Sequence, residues 1–239
     1  MRENLEKELE SPEILAKDID KELFINYKKI YNRVLKRILD LILALVLMGI
    51  LLPIFLIVGI LIIIETGFPV FYRADRGGYK GKKFKIYKFR SMIKNADKIG
   101  GGTTALNDIR ITKVGSFLRK TKLDEIPNLI NIIKGEMSFI GPRPELLKYI
   151  DQYEGTEKLI LEVRPGITDF SSIEFINLDE IVGTENVDQR YEELVLPKKN
   201  KLRLKYVSKI SFLTDVKIFF STIEKVVKKA IKYIVRSDK

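Results

Sequence analysis

Residues 38–64, ILDLILALVLMGILLPIFLIVGILIII, carry a single ionisable side chain, Asp40, near the start of the run. A run of this kind constrains the chain more than any other feature, because it has to be buried in protein or in lipid. At ~1.5 Å per residue a helix over it is long enough to cross a ~30 Å hydrocarbon core. A single spanning helix satisfies that length. Two features favour a different course. Pro53 sits at the middle, where it removes a backbone hydrogen bond and disfavours a straight helix. Both flanks are basic, with Lys28, Lys29, Arg33, Lys36 and Arg37 before the run and a cluster from Arg73 to Arg90 after it. Basic flanks stay in the cytoplasm, and a helix that enters and leaves by one face satisfies both ends. The expectation is a proline-broken re-entrant helix over residues 34–66, with Pro53 as the structural break. Asp40 lies four residues after Lys36 and three after Arg37, the spacing of an interfacial ion pair on a helix. Residues 1–27 are polar and net acidic, unlike a secretory signal with its basic start.

Composition narrows the chemistry. The chain of 239 residues has no cysteine and no histidine. Disulfides, thiolate nucleophiles and Cys-based zinc sites are excluded, as are the commonest general base and metal ligand. What remains is Asp, Glu, Lys, Arg, Tyr, Ser and Thr, and any metal would be a hard cation held by oxygen.

The net charge of +11 is unevenly spread. Residues 73–122 hold fifteen Lys/Arg against three Asp, residues 123–196 six basic against sixteen acidic groups, and residues 197–239 thirteen basic against three acidic. Two basic blocks suit a membrane surface, a nucleic acid or a phosphorylated substrate. The segment PVFYRADRGGYKGKKFKIYKFRSM alternates like a strand pair, with Phe84 and Ile86 on one face and Gly77, Gly78 and Gly81 in the loop. No nucleic-acid motif accompanies it, and it follows a membrane segment, so lipid phosphates or a nucleotide substrate are the expected contacts and nucleic acid is not. In residues 94–108, GGG is not followed by Gly-Lys-Ser/Thr and is no phosphate-binding loop. Near the end, Val216, Phe219, Phe220, Ile223, Val226, Val227, Ala230 and Ile234 form one helical stripe among lysines. This basic amphipathic helix fits a membrane surface or the flank of its own domain.

The chemistry-bearing stretch is KTKLDEIPNLINIIKGEMSFIGPRPE, residues 120–145. Leu123, Ile126, Leu129, Ile130 and Ile133 recur at helical spacing, with Asp124 suited to the N-cap, Pro127 to the first turn and Gly135 to the stop. Capping alone accounts for an acid at a helix N-terminus, worth ~0.3–1 kcal/mol. The neighbours say more. Arg119, Lys120 and Lys122 precede the Asp124–Glu125 pair, and Arg143 follows between Pro142 and Pro144. Prolines on both sides hold Arg143 extended, as a rigid turn or as an aimed guanidinium. VRPGIT repeats the device at Arg164. Carboxylates do not bind phosphates unaided, but they attack phosphorus as nucleophiles or hold a cation that neutralises phosphate.

At this point the residues resemble a family, the bacterial sugar transferases, and within it the small monotopic polyprenyl-phosphate phosphoglycosyl transferases. The matching elements are KRILDLILAL, FKIYKFRSM, LRKTKLDEIPNLINIIKGEMSFIGPRPE, VRPGIT and KISFLTDVKIFF, in family order over roughly residues 34–228. The resemblance implies transfer of a sugar-1-phosphate from a UDP-sugar to undecaprenyl phosphate, with release of UMP, as the first membrane step of glycan assembly. It implies a phosphosugar-aspartate intermediate on Asp124, with Glu125 assisting as acid/base or in holding metal and lipid phosphate. It implies Mg2+ at Asp124 and Glu125, and phosphate or nucleotide contacts from Arg119, Arg143, Arg164 and Arg90. Inner-membrane lipids, the cytoplasmic face of the bacterial inner membrane and downstream glycosyltransferases are its implied surroundings. Two departures stand out: Leu52 precedes the membrane proline where many members have Ser, and DFSSIEF follows PGIT where many have Gly and a tryptophan-bearing stretch. The sugar is not carried over.

The expected fold is therefore mainly α with a small β-hairpin (α+β), a monotopic membrane protein with in-plane amphipathic helices. Residues 1–33 form a polar helix or tail, 34–66 the re-entrant helix, 67–200 a cytoplasmic catalytic domain, and 201–239 basic amphipathic helices at the membrane surface. A non-catalytic, membrane-anchored polyanion-binding module is the alternative, which explains the charge and the anchor but not the Asp-Glu pair.

Overall fold

The structure, a computed structural model, describes residues 30–99 and 102–237. The polar N-terminal segment expected over 1–33 lies outside the described residues except for its last four positions. A short π-helical turn, Tyr31–Leu35, leads into α1, Lys36–Thr66. Pro53 lies inside α1 and does not divide it into two helices. Packing on either side of the proline compensates for its missing N–H. On one side Ala44, Leu47, Met48 and Leu51 join a cluster with Phe84, Ile86, Leu129, Ile132 and Met137. On the other, Ile54, Phe55, Val58 and Ile62 join Phe89 and Leu118. The opposite face stays bare, with Ile42, Ile50, Leu56, Ile60 and Ile64 all more than half exposed. Among the described residues α1 is the one helix long and apolar enough to cross a membrane.

Both ends of α1 are tied to the same body. At the start, Arg37 donates from Nη1 to Ile132 O (2.5 Å) and from Nη2 to Ile133 O (3.0 Å). At the end, Glu65 accepts the backbone N–H of Lys113 (2.7 Å) and of Val114 (3.1 Å). The ion pair expected for Asp40 is replaced by an inward contact. Asp40 is 7% exposed and accepts the Phe139 N–H at 3.2 Å, while Lys36 pairs with Asp215. An N–H on the free edge of β3 outcompetes a solvated ion pair, because an unmade buried hydrogen bond costs more than a surface pair returns.

The hairpin appears as read: β1, Phe71–Gly77, pairs antiparallel with β2, Lys83–Phe89, in the register Phe71 to Phe89. Phe84 and Ile86 are buried on its inner face. Then come α2, Lys113–Thr121, and α3, Asn128–Lys134. A second, parallel pair joins β3, Ser138–Ile140, to β4, Gly166–Thr168. These three-residue strands are too short for an alternating pattern to reveal them. The short helices α4 (Leu147–Ile150), α5 (Phe170–Glu174), α6 (Leu178–Val182) and α7 (Val187–Arg190) follow, and then α8 (Leu196–Lys209) and α9 (Phe212–Ser237). The protein is mainly helical with a small antiparallel sheet, as expected.

Helix α9 packs on the flank of its own domain and leaves an apolar stripe exposed. Its inner face packs Ile218 at 1% exposure, and Lys225 and Lys229 reach inward to Ile173 O (3.1 Å) and Ile176 O (2.8 Å). Leu213, Phe220, Ile223, Val227 and Ile231 remain exposed along the other side. An exposed apolar stripe of this length, with Lys225 and Lys229 drawn inward and Lys217 and Lys228 left exposed, is unusual for a helix that faces only water.

Candidate active site

Helix α2 ends at Lys122, whose φ of 63° is left-handed, and the chain turns there into the 3-10 turn Leu123–Glu125 before α3. The Asp-Glu pair thus sits in the elbow between two helices. Helix α2 is held close by Gly115, where a Cβ would lie 2.0 Å from Ser91 O. One turn later Arg119 reaches Thr104 Oγ1 (2.6 Å) and Ser91 Oγ (3.4 Å). Helix α3 stops at Gly135 with φ 81°, as read from the sequence, but its cap is Pro127 and Asp124 caps nothing.

Asp124 is 5% exposed, and its Oδ1 is buried without a hydrogen-bond partner. Burial and the adjacent Glu125 charge raise its pKa against the pull of Lys88, Lys122 and Arg119. A buried polar atom left unmatched costs on the order of 1–3 kcal/mol, so this is not a carboxylate placed for stability.

Glu125 is the opposite case. Arg143 grips it with both terminal nitrogens, Nη1 to Oε2 at 2.8 Å and Nη2 to Oε1, and Lys88 Nζ adds a contact to Oε1 at 3.1 Å. Burial pushes its pKa up, but Arg143, Lys88 and Lys122 override this and hold it well below the usual carboxylate range. These partners favour the ionised form of Glu125.

Arg143 is aimed by its surroundings. Its Nη1 also donates to Ile167 O at 2.7 Å, and its backbone N–H donates to Asp169 Oδ2 at 3.4 Å. Asp169 is fully buried and also takes both the N–H (2.7 Å) and the hydroxyl (2.8 Å) of Ser172, capping α5 while it holds the arginine loop. Beyond Pro144, Glu145 meets the fully buried Arg203, the Tyr191 hydroxyl and, at 3.9 Å, Lys199. Burial raises the pKa of Glu145, and Arg203 and Lys199 override it, bringing it down to about 2 from 4.5. A carboxylate depressed in this way contributes stability that is full above 4.5 and lost as pH falls toward 2, here about 3 kcal/mol. Glu145→Gln is expected to lower Tm clearly at pH 7, and the difference from wild type should shrink below pH 4.5. Thermal melts at the two pH values check this.

The other expected phosphate arginines are dispersed. Arg164 donates from Nε to Gly135 O at 3.3 Å and lies 5.4 Å from the Tyr79 ring, at the far end of α3 from the dyad. Arg90 is 6% exposed and closes the end of α1, donating to Thr66 Oγ1 (2.5 Å) and Gly67 O, with Nε and Nη1 unpartnered. Pro53 lies within α1, among the membrane-type residues. Sequence reasoning missed Lys88 as a partner of Glu125. Its position in FKIYKFRSM, two residues beyond Ile86 on the face that Phe84 and Ile86 bury, was the available signal. It also missed Asn128, fully buried with a carboxamide that meets nothing.

Among the described residues no group of three or more Asp, Glu, His or Cys side chains forms a metal cage. Magnesium does not need one, since it is commonly held by one or two carboxylates plus substrate phosphates. The unpartnered Oδ1 of Asp124 fits that role, whereas both oxygens of Glu125 are occupied by cationic side chains.

The family model described as bacterial sugar transferase matches residues 31–229, which include the elbow, the proline-bracketed arginine and the apolar helix. The chain belongs to the bacterial sugar transferase family. The "Uncharacterized sugar transferase EpsL" of Bacillus subtilis (strain 168) is 36% identical over 166 residues, 70% of this chain and 74% of its own length. The UDP-glucose:undecaprenyl-phosphate glucose-1-phosphate transferase of Klebsiella pneumoniae is 38% identical over 177 residues, 70% of this chain but 36% of its own length. A putative undecaprenyl-phosphate N-acetylgalactosaminyl 1-phosphate transferase of Bacillus subtilis (strain 168) is 44% identical over 98 residues, covering 41% of this chain and 55% of the relative. This sugar transferase thus spans most of one relative's length but about a third to a half of the other two.

Proposed function

We propose that the protein transfers a sugar-1-phosphate from a UDP-sugar to undecaprenyl phosphate at the cytoplasmic face of the bacterial inner membrane. The observation that carries the reading is the asymmetry of the dyad. One carboxylate is locked into cations, and the other is buried with an oxygen that nothing inside the protein claims. In this reading an oxygen of Asp124 attacks the sugar-bearing phosphorus, the bond from that phosphorus to the oxygen of UMP breaks, and UMP leaves with the electron pair. An oxygen of the lipid phosphate then attacks the same phosphorus, the bond to Asp124 breaks, and the carboxylate is restored. Magnesium held through Asp124 Oδ1 and the diphosphate would neutralise charge that otherwise repels a carboxylate. Glu125 keeps Arg143 and Lys88 pointed at the transferred group, and Arg119 meets phosphate or nucleotide from the α2 side.

Helix α1 supports a membrane placement by one face. A spanning helix puts its two ends on opposite sides of the bilayer, yet Arg37 at one end and Glu65 at the other bind the same body. The exposed apolar stripe of α9 supports a second contact in the plane of the membrane. Because the chain has no native cysteine, Ile30→Cys and Phe68→Cys can each be labelled alone. Both are expected to resist a membrane-impermeant maleimide in intact cells and to react after lysis. Reaction of one site in intact cells while the other stays protected would establish a spanning helix.

The reading is tested by UMP release from the detergent-solubilised protein with magnesium, undecaprenyl phosphate and a panel of UDP-glucose, UDP-galactose, UDP-N-acetylglucosamine and UDP-N-acetylgalactosamine. Release that needs the lipid and prefers one sugar supports it. Salt-sensitive lipid binding without release from any donor would favour the non-catalytic anchor.

A further inference from the structure

Asn128 opens α3, four residues after Asp124 and one turn beyond it. It is fully buried, and neither its Oδ1 nor its Nδ2 has a hydrogen-bond partner. Asn131, three residues later on the same helix, is equally buried, and its carboxamide is fully used. Its Oδ1 accepts the Tyr87 N–H at 2.9 Å, and its Nδ2 donates to Lys85 O and to Glu136 Oε2, each at 2.8 Å. Asn131 is a latch between α3 and β2. Asn128 latches nothing, although a leucine of similar size would be far easier to bury at that position.

Asp124 Oδ1 is the third bare polar atom in the same turn of chain. Asp124 lies in the 3-10 turn and Asn128 four residues on, at the start of α3, so the bare carboxylate and the bare amide belong to the same elbow. Their chemistry is complementary to one ligand. A carboxylate has no donor for a phosphoryl oxygen, and an amide NH2 has two. Of the cationic groups near the dyad, Arg143 and Lys88 are engaged with Glu125 and Arg119 with Thr104, while Lys122 acts on Asp124 through its charge. A neutral donor buried beside Asp124 supplies what the dyad lacks, without adding a charge that would have to be desolvated.

We propose that Asn128 is a further substrate-contact residue of this site, its carboxamide donating to a non-bridging oxygen of the phosphoryl group that Asp124 receives. The inference rests on the reading of Asp124 as the phosphoryl acceptor. Asn128 takes no part in bond making or breaking. It acts on the charge that gathers on the phosphoryl oxygens as the group passes from UMP to the carboxylate.

The test compares Asn128→Leu with Asn131→Leu in the full-length, detergent-solubilised protein, reading UMP release and thermal stability together. Asn128→Leu is expected to lower kcat by on the order of 10²-fold, the loss typical of one oxyanion donor. Its Tm should stay level or rise by a few degrees, because two unmatched polar atoms leave the core. Asn131→Leu should lower Tm, since it strands the Tyr87 N–H and the Lys85 carbonyl. Asn128→Gln, which keeps the amide, should recover part of the rate. A wild-type rate in Asn128→Leu would overturn the inference, and so would a fall in Tm matching that of Asn131→Leu, which would make Asn128 a structural group. Failure of the wild type to release UMP from any donor in the panel would instead overturn the reading of Asp124, and this inference with it.

Discussion

Asp124→Asn is expected to abolish sugar-phosphate transfer, with kcat down at least about 10⁴-fold, while the protein remains folded and membrane-bound. The amide keeps the shape of the side chain and loses the nucleophile. Stability should not suffer. Burial and Glu125 hold the Asp124 pKa above its ordinary 3.8, so folding favours the protonated form. That contribution is full below 3.8 and lost as pH rises through the raised value, which leaves the ionised carboxylate as a net cost at pH 7. A neutral asparagine removes the cost, and Tm should hold level or rise. The same shift sets the acid limb of the wild-type rate. Transfer should fall off on acidification at a higher pH than an ordinary aspartate would give, and lipid-dependent UMP release across a pH series measures it. An Asp124→Asn protein with normal turnover would remove Asp124 from the chemistry.

Arg143→Ala is the second large effect, and it should strike stability and activity together. Glu125 would keep Lys88 but lose the two-pronged grip of the guanidinium in a site where its side chain is 11% exposed. Breaking a buried pair from one side leaves the other charge uncompensated. Because Lys88 remains and Arg143 is itself 26% exposed, a loss of about 2–3 kcal/mol is expected, toward the lower end for such pairs. Turnover should fall by on the order of 10²–10³-fold, since the arginine also supplies positive charge where the phosphoryl group is transferred. Arg143→Lys keeps the charge without the fork and should recover only a minor part of either loss. The double variant Arg143→Ala/Glu125→Gln removes the stranded charge, so its Tm should recover relative to Arg143→Ala while the rate does not. Melting curves and UMP release on the four proteins separate the two effects. A double variant no more stable than Arg143→Ala would mean that Glu125 is not the group left uncompensated.

Much of the site was legible because its signals are local. The proline-bracketed Arg143, the Asp-Glu pair and the glycine stop at Gly135 are each set by residues adjacent in sequence, and the stop is where the spacing put it. The hairpin was legible for the same reason, since its alternation and its glycine turn lie within twenty residues. What the sequence concealed depends on contacts across the chain. Lys88 looked like one lysine in a basic block, and only the fold sets it against Glu125, 37 positions away. The capping role for Asp124 was a sound local reading that tertiary structure displaced, because the left-handed turn at Lys122 moves the dyad off the helix proper. Arg164 shows the converse. Its VRPGIT setting looks like that of Arg143, yet the parallel β3–β4 pair carries it to the carbonyl end of α3. The salt link expected for Asp40 failed because the competing donor, the Phe139 N–H, lies 99 positions downstream.

The central claim is that Asp124 itself takes up the sugar phosphate, and mass spectrometry of the protein tests it most directly. The solubilised protein would be incubated with magnesium and the UDP-sugar it turns over, with undecaprenyl phosphate left out. The account predicts a mass increase equal to one sugar phosphate, mapped to the peptide containing Asp124, absent from Asp124→Asn and discharged when the lipid is added. An unmodified protein that releases UMP only when both substrates are present would contradict it, and would mean that the lipid phosphate attacks the donor directly.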